Sequence, residues 1–388
     1  MKEGWITKEI NTACEVEYGT RVVRKRDGGT IYPVYGGGGA TFFMDIYNRE
    51  DALVIARFAM SEECTRFVEG KFFLNDSGLT VTPKNADEIL PEFLNLQMLF
   101  LNDYIYSLSR GAAQRNLNVP AFRKTLINYP ESLDEQHRIV SILDHCFKAI
   151  DKAKANAEQN LQNAKELFES YLENVFEESN GEIIELNKIT EVKDGTHDSP
   201  KYVKEGIPFV TQKNIRLTGL TLEDTKFIND VDHEKFYKRS NVAFGDILIS
   251  MIGANRGMAA IVDNEIVFSI KNVGLIKSNK NINNRYLLHY LLSRKAQQYV
   301  KDASSGGAQE FIGLTKLRAF PIPIVSIRKQ NDIVSKLDAL QTQTQELQSY
   351  YQTKIDDLEE LKKSILQKAF AGELKTEKMV EEMEEVEL

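Results

Sequence analysis

The strongest constraint on how this chain can fold is an internal repeat. Residues 136–144 (Gln-His-Arg-Ile-Val-Ser-Ile-Leu-Asp) resemble residues 330–338 (Gln-Asn-Asp-Ile-Val-Ser-Lys-Leu-Asp) at an offset of 194 residues. The same offset is kept further along, where Phe176 matches Phe370. Two segments that keep one length without insertion are typical of a rigid element, so we expect a chain built from two related halves.

Both repeated segments have the pattern of a long helix. Residues 135–178 contain neither proline nor glycine, and apolar residues recur every seven positions, which predicts a coiled-coil seam. We place the second column of the seam three residues after the first, and we predict spacer helices over 134–180 and 328–376, each about 60 Å long. The seam residues are Leu143, Ile150, Ala157 and Leu167 in the first helix and Leu337, Leu347, Tyr351 and Leu358 in the second.

Two features favour antiparallel packing of these helices within one chain. The first seam is small in its middle, at Ala153 and Ala157, where the second is large, at Leu347 and Tyr351. A globular domain must also fit between the end of one helix and the start of the other. A zipper between two copies of the chain is the alternative.

The stretches outside the helices have the pattern of globular domains. Residues 1–133 and 181–327 alternate glycine-rich turns with β-branched and aromatic runs, and short helices are predicted near 91–108 and 284–299. A hydrophobic content of 42% suits two folded domains of this size. We therefore predict an α+β fold with a pseudo-twofold repeat, in which two globular domains are separated by two long antiparallel coiled-coil helices. An acidic tail follows at 377–388.

The sequence carries no signature of a catalytic or cofactor site. It lacks a GxxxxGK[ST] phosphate loop, an HExxH zinc helix, a GxSxG nucleophile turn and the Asn-Pro-Pro-aromatic tetrad of amino-methyltransferases. Asp194, His197 and Asp198 are possible metal ligands, but in a loop with glycine and proline this spacing is more typical of turns. Three distant cysteines exclude a disulfide framework and favour the cytoplasm. We predict no catalytic residue, metal or cofactor in this chain.

Polar and basic loops in both halves are the candidates for function. The net charge of −8 argues against a nucleic-acid partner, but the last twelve residues contribute −5 of it. Arginine and lysine bind phosphates, and arginine, glutamine and asparagine also read base edges. For any single residue, a solvated surface loop is the alternative. The predicted DNA-binding residues are Arg21, Arg24, Lys25, Arg26, Tyr35, Arg110, Gln114 and Arg115 in the first half and Thr196, His197, Gln212, Lys213, Asn214, Asn255, Arg256 and Gln309 in the second.

Several segments together resemble one known family. The second helix closes with Ser-Ile-Leu-Gln-Lys-Ala-Phe-Ala-Gly-Glu-Leu at 364–374, and the second globular stretch contains Asp-Gly-Thr-His-Asp-Ser-Pro at 194–200 and Gly-Asp-Ile-Leu-Ile-Ser at 245–250. With Tyr-Pro-Val-Tyr-Gly-Gly-Gly at 32–38, these segments resemble the specificity subunit of type I restriction-modification enzymes over almost the whole chain. The first helix departs from the closing motif, since it ends Val-Phe-Glu-Glu at 175–178.

The resemblance implies a function and partners. Each globular stretch would be a target recognition domain that reads one half of a bipartite, asymmetric site in double-stranded DNA, and the helix pair would set the gap. The helices would dock two modification (methyltransferase) subunits, which bind S-adenosylmethionine, and ATP-dependent restriction subunits that use Mg²⁺ would join for cleavage. A recognition subunit of another restriction or methylation system, or a coiled-coil scaffold without DNA binding, is the alternative.

Overall fold

The computed structural model describes residues 4–306, 310–374, 376 and 379. The predicted contact residue Gln309 and the acidic tail, apart from Met379, lie outside the described residues. The chain divides into unit 1, formed by Met1–Ala157 and Thr353–Leu388, and unit 2, formed by Glu158–Gln352. The boundary falls inside both long helices, so each unit contains one globular region and part of each helix.

Unit 1 builds its globular region from one six-stranded sheet and two two-stranded sheets. Its strands are β1 (Trp5–Glu9), β2 (Cys14–Tyr18), β3 (Tyr32–Gly36), β4 (Gly39–Met44), β5 (Arg49–Ala56), β6 (Thr65–Leu74), β7 (Gly78–Pro83), β8 (Ser109–Arg110), β9 (Asn116–Leu117) and β10 (Leu126–Pro130). Its helices are α1 (Ile10–Ala13), α2 (Arg24–Asp27), α3 (Pro91–Phe100), α4 (Asn102–Ser107), α5 (Val119–Arg123) and the start of the long α6 (Leu133–Glu178).

Unit 2 has shorter strands in several small sheets. Its strands are β11 (Glu182–Glu185), β12 (Val192–Asp194), β13 (Ile207–Val210), β14 (Ile215–Arg216), β15 (Gly219–Leu220), β16 (Lys226–Ile228), β17 (Ile247–Ser250), β18 (Ala259–Ile261), β19 (Ser269–Ile270), β20 (Val273–Ile276) and β21 (Pro321–Ile324). Its helices are α7 (Leu186–Ile189), α8 (Asp230–Ser240), α9 (Asn284–Leu292), α10 (Arg294–Ala303), α11 (Leu314–Arg318) and the start of the long α12 (Ile327–Phe370), with a 3-10 turn at Gln212–Asn214.

The internal repeat extends through the globular regions as a repeat of topology. In unit 1, β1 pairs with β10, and β7 lies between β2 and β5; in unit 2, β11 pairs with β21, and β20 lies between β12 and β17. The one parallel pairing of each unit among the described strands is also equivalent, β3 with β6 and β13 with β19. The predicted α+β class and two-fold repeat are confirmed.

Within each unit the long helices pack in opposite directions. In unit 1 the start of α6, at Leu143, shares a core with the end of α12, at Phe370, and Lys362 Nζ lies 2.9 Å from an Asp151 oxygen. In unit 2 the end of α6, at Phe176, shares a core with Leu337 near the start of α12. The predicted antiparallel pair is confirmed, and across the described residues no helix has the length and hydropathy that a membrane span needs.

The second column of the seam differs from the prediction. Leu143, Ile150, Ala157 and Leu337 are buried, and Tyr351 and Leu358 are half-buried, whereas Leu167 and Leu347 are 51% and 42% exposed. The apolar column that packs inward lies four residues after the first, at Leu161 and Phe168, which are both half-buried. The first column is therefore position d of the heptad, which the next position a follows after four residues, and a seven-residue period by itself does not distinguish d from a.

A buried histidine joins α9 to α12 in unit 2. His289 is 5% exposed, and its Nε2 lies 2.8 Å from one oxygen of the Asp338 carboxylate, while Arg285 Nε lies 2.8 Å from the other. Burial lowers the pKa of His289 below its ordinary value of 6.5, although the carboxylate of Asp338 opposes this shift.

We therefore expect the free energy of unfolding to fall as the pH drops below about 6.5, because the unfolded chain then binds a proton that buried His289 resists. At higher pH the imidazole is neutral in both states and this contribution is fully present. The His289→Gln variant keeps a donor toward Asp338 but does not titrate, so its urea midpoint should change less between about pH 7.5 and 5.5. Parallel pH dependences for the two proteins would contradict this assignment.

Candidate nucleic-acid interface

Equivalent glycine loops follow β2 in unit 1 and β12 in unit 2. The segments read Glu-Val-Glu-Tyr-Gly-Thr-Arg at 15–21 and Glu-Val-Lys-Asp-Gly-Thr-His at 191–197. A Cβ on Gly19 would lie 1.9 Å from a backbone oxygen of the loop after β6, and one on Gly195 would lie 2.4 Å from a backbone oxygen of β19. Only glycine permits this approach, so the two loops are fixed against equivalent strands.

In unit 2 the glycine loop is held by a polar network. The side chain of His197 is 2.7 Å from the Asn272 amide oxygen through Nδ1 and 3.0 Å from Asp194 through Nε2. Arg239 Nη2 donates to the same carboxylate at 2.7 Å. Because Asp194 is buried, this network fixes the orientation of the exposed imidazole.

The predicted residues Gln212 and Lys213 line a polar pocket beside this loop. At the 3-10 turn after β13, Gln212 is half-buried and Lys213 is exposed, and the pocket has a volume of about 270 Å³. Lys271 and Asn272, which sequence reasoning missed, form the opposite wall. The complete lining is Tyr202, Thr211, Gln212, Lys213, Ile252, Lys271 and Asn272. Two lysines and four amide or hydroxyl groups give this pocket the donors and acceptors that phosphates and base edges require.

Other predicted residues of unit 2 hold the loops in place. Asn214 is 5% exposed, and its amide oxygen accepts from the Thr211 N–H at 2.9 Å in a capping box. Thr196 is also 5% exposed. Arg256 is half-buried and forms an ion pair with Glu310, whereas Asn255 is exposed. The structure therefore gives Asn214 and Thr196 positioning roles.

In unit 1 the predicted residue Arg110 lines a pocket of about 520 Å³. The pocket also contains three residues that sequence reasoning missed, Tyr18, Arg57 and Phe58. The complete lining is Tyr18, Arg57, Phe58, Arg110, Gly111, Asn116, Leu117, Asn118, Val119 and Pro120. One signal could have identified Arg57, since it directly follows the apolar run of a buried strand, Ala52–Ala56.

The remaining predicted residues of unit 1 lie outside this pocket lining. Gln114 and Arg115 are exposed, and the Arg115 guanidinium carbon lies 5.1 Å from the centre of the Tyr106 ring. Tyr35 is half-buried and packs edge-on against Phe72.

The basic run after the glycine loop is exposed and consists of Arg21, Arg24, Lys25 and Arg26, of which Arg26 pairs with Asp27 at 2.8 Å. The cation of Arg26 is therefore partly neutralised.

The cysteines of the described residues are not activated as nucleophiles, since burial raises the pKa of all three thiols. Burial raises the pKa of the Cys14 thiol to about 12 and that of Cys64 to about 11, so both thiols stay protonated at neutral pH. Among the described residues, no group of three His, Cys, Asp or Glu side chains could hold a metal ion. The polar groups of both pockets are suited to binding.

Comparison with known proteins identifies the family to which this chain is similar. A family model, described as the type I restriction modification DNA specificity domain, matches residues 2–161 and 177–358. The specificity subunit of the type I restriction enzyme EcoBI from Escherichia coli is 28% identical over 180 residues, which cover 44% of this chain. The match spans 36% of that relative's length.

Two solved structures share the fold over nearly the whole chain. A structure described as the basis of complex assembly and conformational transition of the type I R-M system has a TM-score of 0.76 at 18% identity and covers 96% of this chain and 99% of its own. The HsdS subunit from Thermoanaerobacter tengcongensis has a TM-score of 0.57 at 18% identity and covers 96% and 98%. These likenesses establish the architecture of two globular regions with long helices.

Proposed function

Because the chain belongs to the family of type I restriction modification DNA specificity domains, we propose that it is the DNA sequence-recognition subunit of a type I restriction-modification complex. Each unit reads one half of a bipartite site, unit 1 through the pocket that contains Arg110 and unit 2 through the pocket that contains Gln212 and Lys213. The observation that carries this proposal is the repeat itself, since two units of one topology carry different side chains in their equivalent glycine loops, Tyr-Gly-Thr-Arg at 18–21 and Asp-Gly-Thr-His at 194–197.

The chemistry of the two pockets supports reading of duplex DNA. Exposed arginine and lysine side chains supply contacts to phosphates, and those contacts position the protein without reading sequence. Guanidinium and amide groups make the paired hydrogen bonds that distinguish base pairs in the major groove. Because the two pockets differ in composition, the two half-sites differ, and the whole site is asymmetric.

The catalytic steps belong to partner subunits in this proposal. Two modification subunits dock on the long helices and bring S-adenosylmethionine, and restriction subunits bring ATP and Mg²⁺. Leu167, Leu347 and Tyr350 of unit 2 support the docking proposal, because they are 51%, 42% and 59% exposed on the helices. The proposal places the complex in the cytoplasm with the DNA that it modifies.

The decisive experiment is single-molecule methylation sequencing of genomic DNA from cells that express this chain together with its modification subunits. Cells that lack only this chain are the control. We expect one bipartite N6-methyladenine motif to be present with the chain and absent without it. A motif that persists without the chain would refute the proposal.

DNA binding by the purified complex gives a second test. Affinity for the bipartite site should fall steeply with salt, because phosphate contacts release counterions, and it should exceed the affinity for scrambled DNA at every salt concentration. A coiled-coil scaffold would show neither effect.

A further inference from the structure

The pocket of unit 1 contains an arginine held between two aromatic rings. The guanidinium carbon of Arg57 lies 4.7 Å from the centre of the Tyr18 ring and 4.4 Å from that of Phe58. Its Nη1 donates to the backbone oxygen of Asp76 at 3.3 Å, and its backbone N–H donates to Ser77 at 2.8 Å. The backbone and the planar head group of Arg57 are therefore both fixed before any ligand binds.

Two more arginines accompany Arg57 without a balancing carboxylate. Arg110 lines the same pocket, and the guanidinium carbon of Arg123 lies 6.0 Å from the centre of the Tyr18 ring. Among the described residues, none of these three arginines forms an ion pair, and no acidic side chain lines the pocket. Elsewhere in the chain Arg49, Arg239 and Arg285 are each paired with a carboxylate. Three uncompensated cations around a concave site call for an anionic ligand.

The three arginines differ in how far they reach into solvent. Arg110 and Arg123 are exposed, whereas Arg57 is half-buried between its rings. A flexible, exposed guanidinium suits a phosphate, which accepts from many directions. A planar guanidinium with restricted rotation suits a base edge with two acceptors side by side, and O6 and N7 of guanine form that edge in the major groove.

The equivalent position in unit 2 contains no cation. The glycine loops make Tyr18 equivalent to Asp194, and their partners Leu79 and Gly274 are therefore equivalent. Ala56 pairs with the residue before Leu79, and Ser250 pairs with the residue before Gly274, so that Arg57 corresponds to Met251. Met251 is a buried core residue. The arginine cluster is therefore a feature of one unit only, as a contact specific to one half-site requires.

On the basis of the proposed function, we propose that Arg57 is a specificity-determining residue for the half-site of unit 1. Its guanidinium donates to O6 and N7 of one guanine in duplex DNA, with Tyr18 and Phe58 holding it in place, while Arg110 and Arg123 contact the flanking phosphates. A paired contact of this kind discriminates against another base by about 5- to 150-fold.

The test compares Arg57→Ala, Arg57→Lys and the unchanged chain, each assembled with its modification subunits. Methylation sequencing should show that both substitutions make one guanine position of one half-site degenerate, while the other half-site stays the same. In competition binding with oligonucleotides altered at that position, the preference should fall by about 5- to 150-fold. Lysine keeps the charge but cannot reproduce the planar fork, so it should also lose discrimination.

Lys71→Ala is the matched control. Lys71 Nζ lies 4.6 Å over the Tyr47 ring in the same unit, so the control removes a cation held on an aromatic ring outside the pocket lining. It should leave the motif unchanged. An unchanged motif in Arg57→Ala would overturn the inference, and so would an equal loss of affinity for every altered oligonucleotide, because a phosphate contact does not discriminate between bases. If the unchanged chain produced no bipartite motif, the proposed function itself would fail.

Discussion

Replacing Gln136 or Gln330 with glutamate is expected to unfold the unit that contains it. These glutamines occupy equivalent positions at the start of α6 and α12, and both are 0% exposed. Gln136 Nε2 donates to the backbone oxygens of Pro130 and Glu88 at 2.8 and 2.9 Å, and its Oε1 accepts from the Leu90 N–H at 2.9 Å. The amide thereby ties the helix to β10 and to the start of α3.

Gln330 makes the same kind of connection in unit 2. Its Oε1 accepts from the Asn283 N–H at 2.8 Å, and its Nε2 donates to the Val325 backbone oxygen at 2.8 Å. A glutamate there would bury a charge and set a carboxylate oxygen against a carbonyl that needs a donor. The two effects together cost on the order of 5 kcal/mol, which is comparable to the whole stability of a domain.

Urea unfolding followed by circular dichroism measures this effect. The Gln345→Glu variant is the control, because Gln345 is exposed on α12 and its substitution should leave the midpoint nearly unchanged. A Gln330→Glu protein with the midpoint of that control would show that the buried amide does not hold the helix in place.

The repeated glutamine could be identified from the sequence, but its hydrogen-bond partners could not. The match of Gln136 with Gln330 was visible as part of a helical repeat, and the helices, their length and their antiparallel packing followed from periodicity and topology. The function of the amide was not visible, because its partners lie up to 48 residues away along the chain. Periodicity predicts which face of a helix is buried, whereas the hydrogen-bond partner of a side chain depends on the tertiary structure.

The candidate interface was harder to predict for the same reason. Tyr18 lies on β2, Arg57 directly follows β5 and Arg110 lies on β8, so that these residues meet only in the folded unit. Residue type alone favoured Asn214, which the fold uses to cap a turn. A polar side chain in a loop can bind a ligand or shape the loop, and burial separates the two roles only once the structure is known.

Deleting one heptad from each long helix is expected to shorten the gap between the two half-sites without changing either half-site. Residues 158–164 of α6 and 351–357 of α12 can be removed while leaving the exposed Leu167, Leu347 and Tyr350 in place. Seven residues span about 10 Å and advance the helix to within about 20° of two full turns, so the buried column on each side keeps its register.

The expected change in the gap between the half-sites follows from the dimensions of the DNA duplex. A reduction of about 10 Å corresponds to about 3 bp, so methylation sequencing should show the same two half-sites with a gap about 3 bp shorter. Removing three base pairs rotates one half-site by about 100° about the DNA axis, whereas removing one heptad rotates the helix by only about 20°. Because these two rotations do not match, affinity for the new site should also fall. Deleting the heptad from α6 alone is the control, and unequal helices should abolish binding. Altered half-sites, or an unchanged gap, would show that the helix pair does not set the spacing.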